Sequence, residues 1–344
     1  MKNLRLPCLL TTLMISSPLL FSPLALAQTD PVDAQKETSK DVQVYTPTSL
    51  VAEPGLPRTP DGRPDFQGAV WATNFFPVFD TNPMTPNLIV PEEEAKMIVA
   101  TMFTGMAGFL EKSIDPEAAH IMGDTDGLPL VRGERRTRLV VLPADGALPL
   151  TAEAKAMIEA ADKAEDRRDD YEQRPTGERC LVLSGNPPIH AVVSYNRLQA
   201  IQPPEYVVVH SENGDEARII PFATEHAAAG PTSWYGDSIA RWDGDTLVLE
   251  TIRNSPHERV RGLMAKFVVN PDAKVIERYT RLSVNELLYQ FTIEDPSAYS
   301  APWLAEFSFY STTTGMYPSP CHEHNHSLPN ILMGQRVADR HAGH

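Results

Sequence analysis

The chain has 344 residues, with 45 Asp and Glu against 30 Lys and Arg and a formal charge of -15. That acidity excludes a nucleic-acid binder, whose affinity rests on basic surface, and a protein docked on anionic lipid. The length allows one large domain or two, with ample chain for a core.

Met1 to Ala27 reads as an export signal. Lys2 and Arg5 form the basic start, Leu6 to Phe21 is mostly apolar, and Ala25-Leu26-Ala27 is the small-x-small pattern of a cleavage site. The expected product is periplasmic or secreted and begins at Gln28. The alternative, a retained anchor, needs about 20 apolar residues, and this run is shorter and broken. No later stretch is long and apolar enough to span a membrane. Two cysteines, Cys180 and Cys321, remain after cleavage, and an even count in an oxidising compartment predicts a disulfide between them.

Residues 28–64, rich in Pro, Thr, Asp and Glu, read as an extended or partly disordered arm. Asp65 to Trp71 is a short strand-like entry. Pro91 to Lys112 is helical in pattern, with Pro91 at a first-turn position and Glu92, Glu93 and Glu94 at the positive end of the dipole. Thr137 to Leu142 is a short β run. The basic cluster before it, Arg132, Arg135, Arg136 and Arg138, is expected to pair with the excess carboxylates. Thr151 caps a second, solvated helix running to about Gln173.

From Arg179 the pattern turns to β. Glu205–Ser211 and Glu216–Phe222 flank Asn213-Gly214; Ser238–Trp242 and Asp245–Ile252 flank Asp243-Gly244. Ala265–Val269, Lys274–Ser283, Glu286–Glu294 and Trp303–Ser311 bring the strands to eight. The expected fold is mainly β: an antiparallel up-and-down meander, a lipocalin-like barrel of about eight strands with two helices N-terminal to it, the size that holds one small ligand. The rival is an open curved sheet packed on the helices. Residues 65–177 are expected to be a mixed helical segment packing on the barrel, 178–336 the barrel-like domain and 337–344 a flexible tail.

Motifs spread along the mature chain carry a resemblance. PDFQGAVW (Pro64 to Trp71), WYGDSIARWDGDTLVLET (Trp234 to Thr251), ERYTR (Glu277 to Arg281) and CHEHNHSLPNILMG (Cys321 to Gly334) resemble a family of uncharacterised exported bacterial proteins. The resemblance implies export and a β-rich body and carries no activity. The repeated W-x-G-D stretch is also superficially similar to lipocalin-type barrels, a likeness of fold alone.

Two polar clusters suit chemistry. In Cys321-His322-Glu323-His324-Asn325-His326, alternate side chains share a face, so His322, His324 and His326 form a candidate set for zinc or another divalent metal. The blander reading is a polar loop held by the disulfide. The second cluster is His226 with Asp237, a proton-transfer pair in which the carboxylate fixes the imidazole; its alternative is ordinary turn hydrogen bonding. His322, Glu323, His226 and Asp237 are the candidate catalytic residues. Arg281 is the candidate for steadying negative charge, and Trp234, Tyr279, Tyr289 and Trp303 are candidate walls for a ligand. Glu277 and Arg281, four apart on one strand, face the same side.

There is no nucleophile elbow, P-loop, dinucleotide fingerprint or H-E-x-x-H helix. The preferred expectation is a periplasmic enzyme acting without a cofactor on a small, aromatic or apolar organic molecule, by lyase, isomerase or hydrolase chemistry. The alternatives are a non-catalytic carrier of a hydrophobic ligand, a metal-dependent hydrolase or metal-binding protein, and an envelope-interaction protein.

Overall fold

Thr151 caps a helix as expected, its hydroxyl accepting the Ala154 N–H at 3.2 Å; the helix buries only Ala154 and ends at Asp166, short of the expected Gln173, which lies in a separate short turn of helix. The structure, a computed structural model, describes residues 52–73, 79–81, 85–101, 128–183, 185–189, 197–228, 230, 233–262, 266–323 and 325–343. All of them belong to one compact unit, Val42–His344. The export signal over 1–27, the arm over 28–51, residues 102–112 of the first expected helix and His324 lie outside the described residues.

In chain order the elements are β1 (Val70–Thr73), β2 (Ile89–Val90), α1 (residues 92–101), β3 (Leu130–Val131), β4 (Glu134–Arg136), β5 (Val140–Leu142) and α2 (Ala152–Asp166). Then come β6 (Arg197–Ile201), β7 (Tyr206–Ser211), β8 (Glu216–Pro221), β9 (Asp237–Asp243), β10 (Thr246–Ile252), β11 (Val260–Arg261) and β12 (Phe267–Val268). The series ends with β13 (Lys274–Arg281), β14 (Glu286–Glu294), β15 (Trp303–Thr312) and α3 (Ser327–Ala342). Residues 337–342, expected in a tail, continue α3.

The main sheet is antiparallel in the order β8-β7-β6-β1-β15-β14-β13-β10-β9, with β5 paired to β15 off that path. Its two ends meet at Phe222, which bridges Ala240, and Ala223 N–H donates to the Ala240 carbonyl at 3.2 Å. The result is a nearly closed barrel of nine strands. Seven of the eight expected strands are in its wall. The eighth pairs instead as β12 with β11 in a separate two-stranded sheet. β1 and β6 complete the wall, with Trp71 of β1 opposite Leu198 of β6 and Ser311 of β15. The turn glycines carry positive φ where the hairpins need it: 78° at Gly214 and 58° at Gly244.

Alternation along β13, β14 and β15 sends Val275, Tyr279, Tyr289, Phe291, Trp303, Phe307 and Phe309 into the bore, all buried. Tyr289 lies 5.0 Å from Phe307 and 4.9 Å from Tyr279, ring centre to ring centre. Burying each such side chain contributes about 1.5–3 kcal/mol. The bore is thus filled by its own aromatics.

The basic cluster is neutralised on the outer wall. Arg132 and Arg136 both reach Glu306, at 3.0 and 3.2 Å, and Arg135 reaches Glu92 at 2.7 Å. Arg138 donates to the carbonyls of Pro86, Val140 and Ala144. Cys180 and Cys321 form a disulfide, with Cα atoms 5.6 Å apart, across 141 positions of sequence. It ties the segment before α3 to residues 176–183 at one mouth of the barrel. No helix among the described residues is long and apolar enough to cross a membrane.

Candidate active site

Strand direction puts the start of β8 and β9, the end of β10 and the start of β13 at one end of the barrel. Two charged networks form there, separated by the wall. The alternation rule decides which faces in. Ser238 and Thr251 are opposite each other and hydrogen-bonded at 2.7 Å, and Ser238 receives the inward-facing Arg218 at 3.4 Å. Asp237 and Glu250, one position away, therefore face outward.

The outer network holds the expected pair. His226 Nδ1 is 3.0 Å from Asp237 Oδ2, and its Nε2 is 3.6 Å from Glu250 Oε1. Arg253 also pairs with Asp237, and Lys274 reaches Glu250 at 3.4 Å. The pair is thus one part of a cluster of alternating charges that clamps the loop before β9 to the barrel's outside.

The inner network was not anticipated. Arg218 lays both terminal nitrogens on Glu277, at 2.6 and 3.1 Å. The hydroxyls of Tyr289 and Tyr279 donate to the same carboxylate at 2.9 and 3.3 Å. Tyr289 Oη in turn accepts the Ile189 N–H at 2.8 Å. Glu277 keeps Arg218 charged against the pull of burial, so its pKa lies above the ordinary arginine value. Burial, then Glu277, push both tyrosines well above theirs. Above this layer Glu216 accepts the Leu183 and Gly185 N–H groups at 2.7 and 2.5 Å and the Tyr235 hydroxyl, which pins the mouth segment onto β8.

Outside this pinned segment lies a cleft of about 580 Å³, between α2, residues 172–183 and residues 256–262. Glu258 lines it. One carboxylate oxygen accepts from Thr176 Oγ1 and the other from Asn186 Nδ2 at 2.8 Å. Burial raises the Glu258 pKa above the usual carboxylate value, while Arg261, Thr176 and Asn186 restrain the rise. Arg261, itself buried, is pushed down to about 10 by burial, partly offset by Glu258, and so stays cationic near neutral pH. It donates to the Pro187 carbonyl and, through Nε, to the Glu258 carbonyl at 3.3 Å. A carboxyl biased toward protonation, with a fixed cation beside it at the edge of a cleft, can give and take a proton.

The remaining expected residues are dispersed. Trp234 packs on His257 at 6.0 Å at the cleft end, and Trp303 is core, 5.5 Å from Phe291. Arg281 does share the inward side of β13 with Glu277. It sits at the opposite rim, over Trp71 at 5.2 Å, donating to the carbonyls of Asp65, Ser283 and Val284. His322 and Glu323 are exposed beside the disulfide. Among the described residues, no hydrogen bond or ion pair joins their side chains to His226 or Asp237, and no three His, Cys, Asp or Glu side chains are placed to hold a metal. The His322, His324 and His326 set includes a residue outside those described. A second cleft, of about 590 Å³, lies at the Arg281 end, walled by Trp242, Phe222 and Arg63.

Compared with known protein families, curated proteins and solved structures, the chain matches none.

Proposed function

We propose that the protein is an exported enzyme that performs cofactor-free acid–base chemistry on a small organic molecule in the cleft beside α2, with Glu258 as the proton-transferring group. The observation that carries this reading is the Glu258 carboxyl: raised by burial, held by Thr176 and Asn186, and facing a ligand-sized space with Arg261 alongside. Ligand sites typically occupy clefts of roughly 300–1,000 Å³ with a few convergent polar groups. Protonated Glu258 donates to a substrate oxygen or leaving group; ionised, it removes a proton from the substrate or from water. Arg261 offsets negative charge that develops next to it.

A periplasmic site of action accords with the Cys180–Cys321 bridge, since disulfides persist in oxidising compartments. The filled bore favours this cleft over the barrel interior as the place for a substrate, and so disfavours a carrier of the lipocalin kind. His226 remains the competing proton-transfer residue.

The test is a screen of the chain from Gln28 onward in deuterium oxide against esters, lactones and acids with an acidic C–H. Hydrolysis or deuterium incorporation is followed by NMR. Ala164→Trp, which fills the cleft from α2, is expected to abolish any turnover found, and His226→Ala to leave it within about threefold. Loss of turnover in His226→Ala with retention in Ala164→Trp overturns the assignment.

A further inference from the structure

Elsewhere several arginines are taken by carboxylates, Arg58 by Asp245, Arg197 by Glu212, Arg218 by Glu277 and Arg278 by Asp243, while Arg138 and Arg281 donate to backbone carbonyls. Among the described residues, the cleft holds two arginines with neither kind of partner: Arg179 and Arg259 line it with no carboxylate in ion-pair contact. Arg179 lies over the Tyr171 ring at 5.4 Å. Arg259 donates Nε to Asn270 Oδ1 at 2.7 Å and Nη2 to Met157 Sδ at 3.4 Å, a tether that leaves Nη1 for another acceptor.

The rim does contain acids, and two already have cations. Glu178 is paired with Arg174 at 2.8 Å and Glu165 with Lys266 at 2.6 Å. Two partly buried guanidinium groups thus line one cleft with hydrogen-bonding capacity to spare. Ala161, Ala164, Pro175, Val182, Leu183 and Val260 give the cleft apolar wall, alongside polar Gln173, Asn213 and His257.

We infer that the cleft recognises an organic monocarboxylate, its carboxylate held by Arg259 and Arg179 and its hydrocarbon or aromatic body against the α2 wall. The guanidinium fork suits a carboxylate or a phosphate equally. Glu172 on the rim and Glu258 inside disfavour a dianion, and the apolar walls call for an organic body. The inference rests on the proposed function for its location and deepens it by naming the substrate class. Proton transfer by Glu258 then occurs on a molecule anchored at its acid group, which holds the reacting atoms in place.

The experiment is titration calorimetry of the chain from Gln28 onward, disulfide intact, with benzoate, phenylacetate and hexanoate, each beside its uncharged amide, and with phenyl phosphate. At least one acid is expected to bind ten or more times tighter than its amide and than phenyl phosphate. Arg259→Gln is expected to weaken that acid at least tenfold. Arg179→Gln is expected to do so to a smaller extent, with thermal unfolding confirming that each variant folds. The acid–amide comparison needs no variant. Equal binding of acids and amides, tighter binding of phenyl phosphate, or no binding of any of the three acids overturns the inference. Turnover that survives those results and vanishes in Glu258→Gln leaves the proton-transfer reading standing without the carboxylate anchor.

Discussion

Removing the Glu277 carboxylate strips the barrel's inner network of the group that accepts four of its hydrogen bonds. Arg218 is 4% exposed and Glu277 0%, so the interaction is desolvated on both sides. In Glu277→Ala the guanidinium keeps only the 3.4 Å contact with Ser238, and the Tyr279 and Tyr289 hydroxyls both lose the acceptor of their protons, though Tyr289 Oη still accepts the Ile189 N–H. Breaking a buried pair from one side costs about 3–5 kcal/mol, because the surviving charge is left uncompensated. That is a large share of the roughly 5–15 kcal/mol by which a domain is stable. Replacing both partners, as in Arg218→Met with Glu277→Leu, removes the stranded charge. It leaves the Tyr279 and Tyr289 hydroxyl protons unsatisfied, at about 1–3 kcal/mol each, a cost the single variant shares. Urea unfolding followed by tryptophan fluorescence, with the disulfide intact, reads both. Both variants lose the tyrosines' acceptor alike, so their difference reads the stranded guanidinium, and the double variant is expected to be the more stable by at least about 1 kcal/mol. A loss under about 1 kcal/mol in Glu277→Ala, or a double variant no better than the single, refutes this account of the bore.

The bridge between Cys180 and Cys321 spans 141 positions, so replacing both with Ser is expected to cost about 4–5 kcal/mol in the same unfolding assay. Gly236 has φ of 67°, and a Cβ there would lie 2.9 Å from the Ile252 carbonyl and 2.7 Å from Thr251 Cγ2. Gly236→Ala is therefore expected to destabilise by about 1–3 kcal/mol. For Glu258 the sign follows from its raised folded pKa: the folded state holds the proton more tightly than the unfolded chain, whose value is near 4.5. The contribution of this group to stability therefore falls as pH rises from there to the raised value. Glu258→Gln removes that slope, as stability measured across the acid range by thermal unfolding will show. The amide also lets Asn186 turn its buried, unpartnered Oδ1 toward a donor.

Strand positions were legible because alternation and turn chemistry are local. Glu286–Glu294 is a strand over its predicted bounds, and Asn213-Gly214 turns where it should. β1 and β6 were not legible as wall strands, because their pairing joins residues far apart in sequence, Trp71 with Leu198 and Ser311. β8 shows why the inner network escaped. In Glu216-Ala217-Arg218-Ile219-Ile220, hydropathy turns Arg218 outward and Ile219 inward, yet Ile219 is 69% exposed. A partner on β13, Glu277, reverses the orientation. The visible signal was charge at alternate positions, Glu216 and Arg218, sharing a face with Ile220. At the cleft, Glu258, Arg259 and Arg261 around Val260 form a dense charged run in a segment that turn chemistry alone does not require. The His226–Asp237 pairing was legible; its outward placement depends on the register of β9 against β10.

The assignment of proton transfer to Glu258 is tested most directly by the kcat/KM ratio of Glu258→Gln to the parent protein on the first substrate the deuterium screen yields. A fall of at least about 100-fold at unchanged thermal stability is predicted, the size typical of losing a general acid–base group. A ratio within about threefold, with the activity lost instead in His226→Ala, contradicts it.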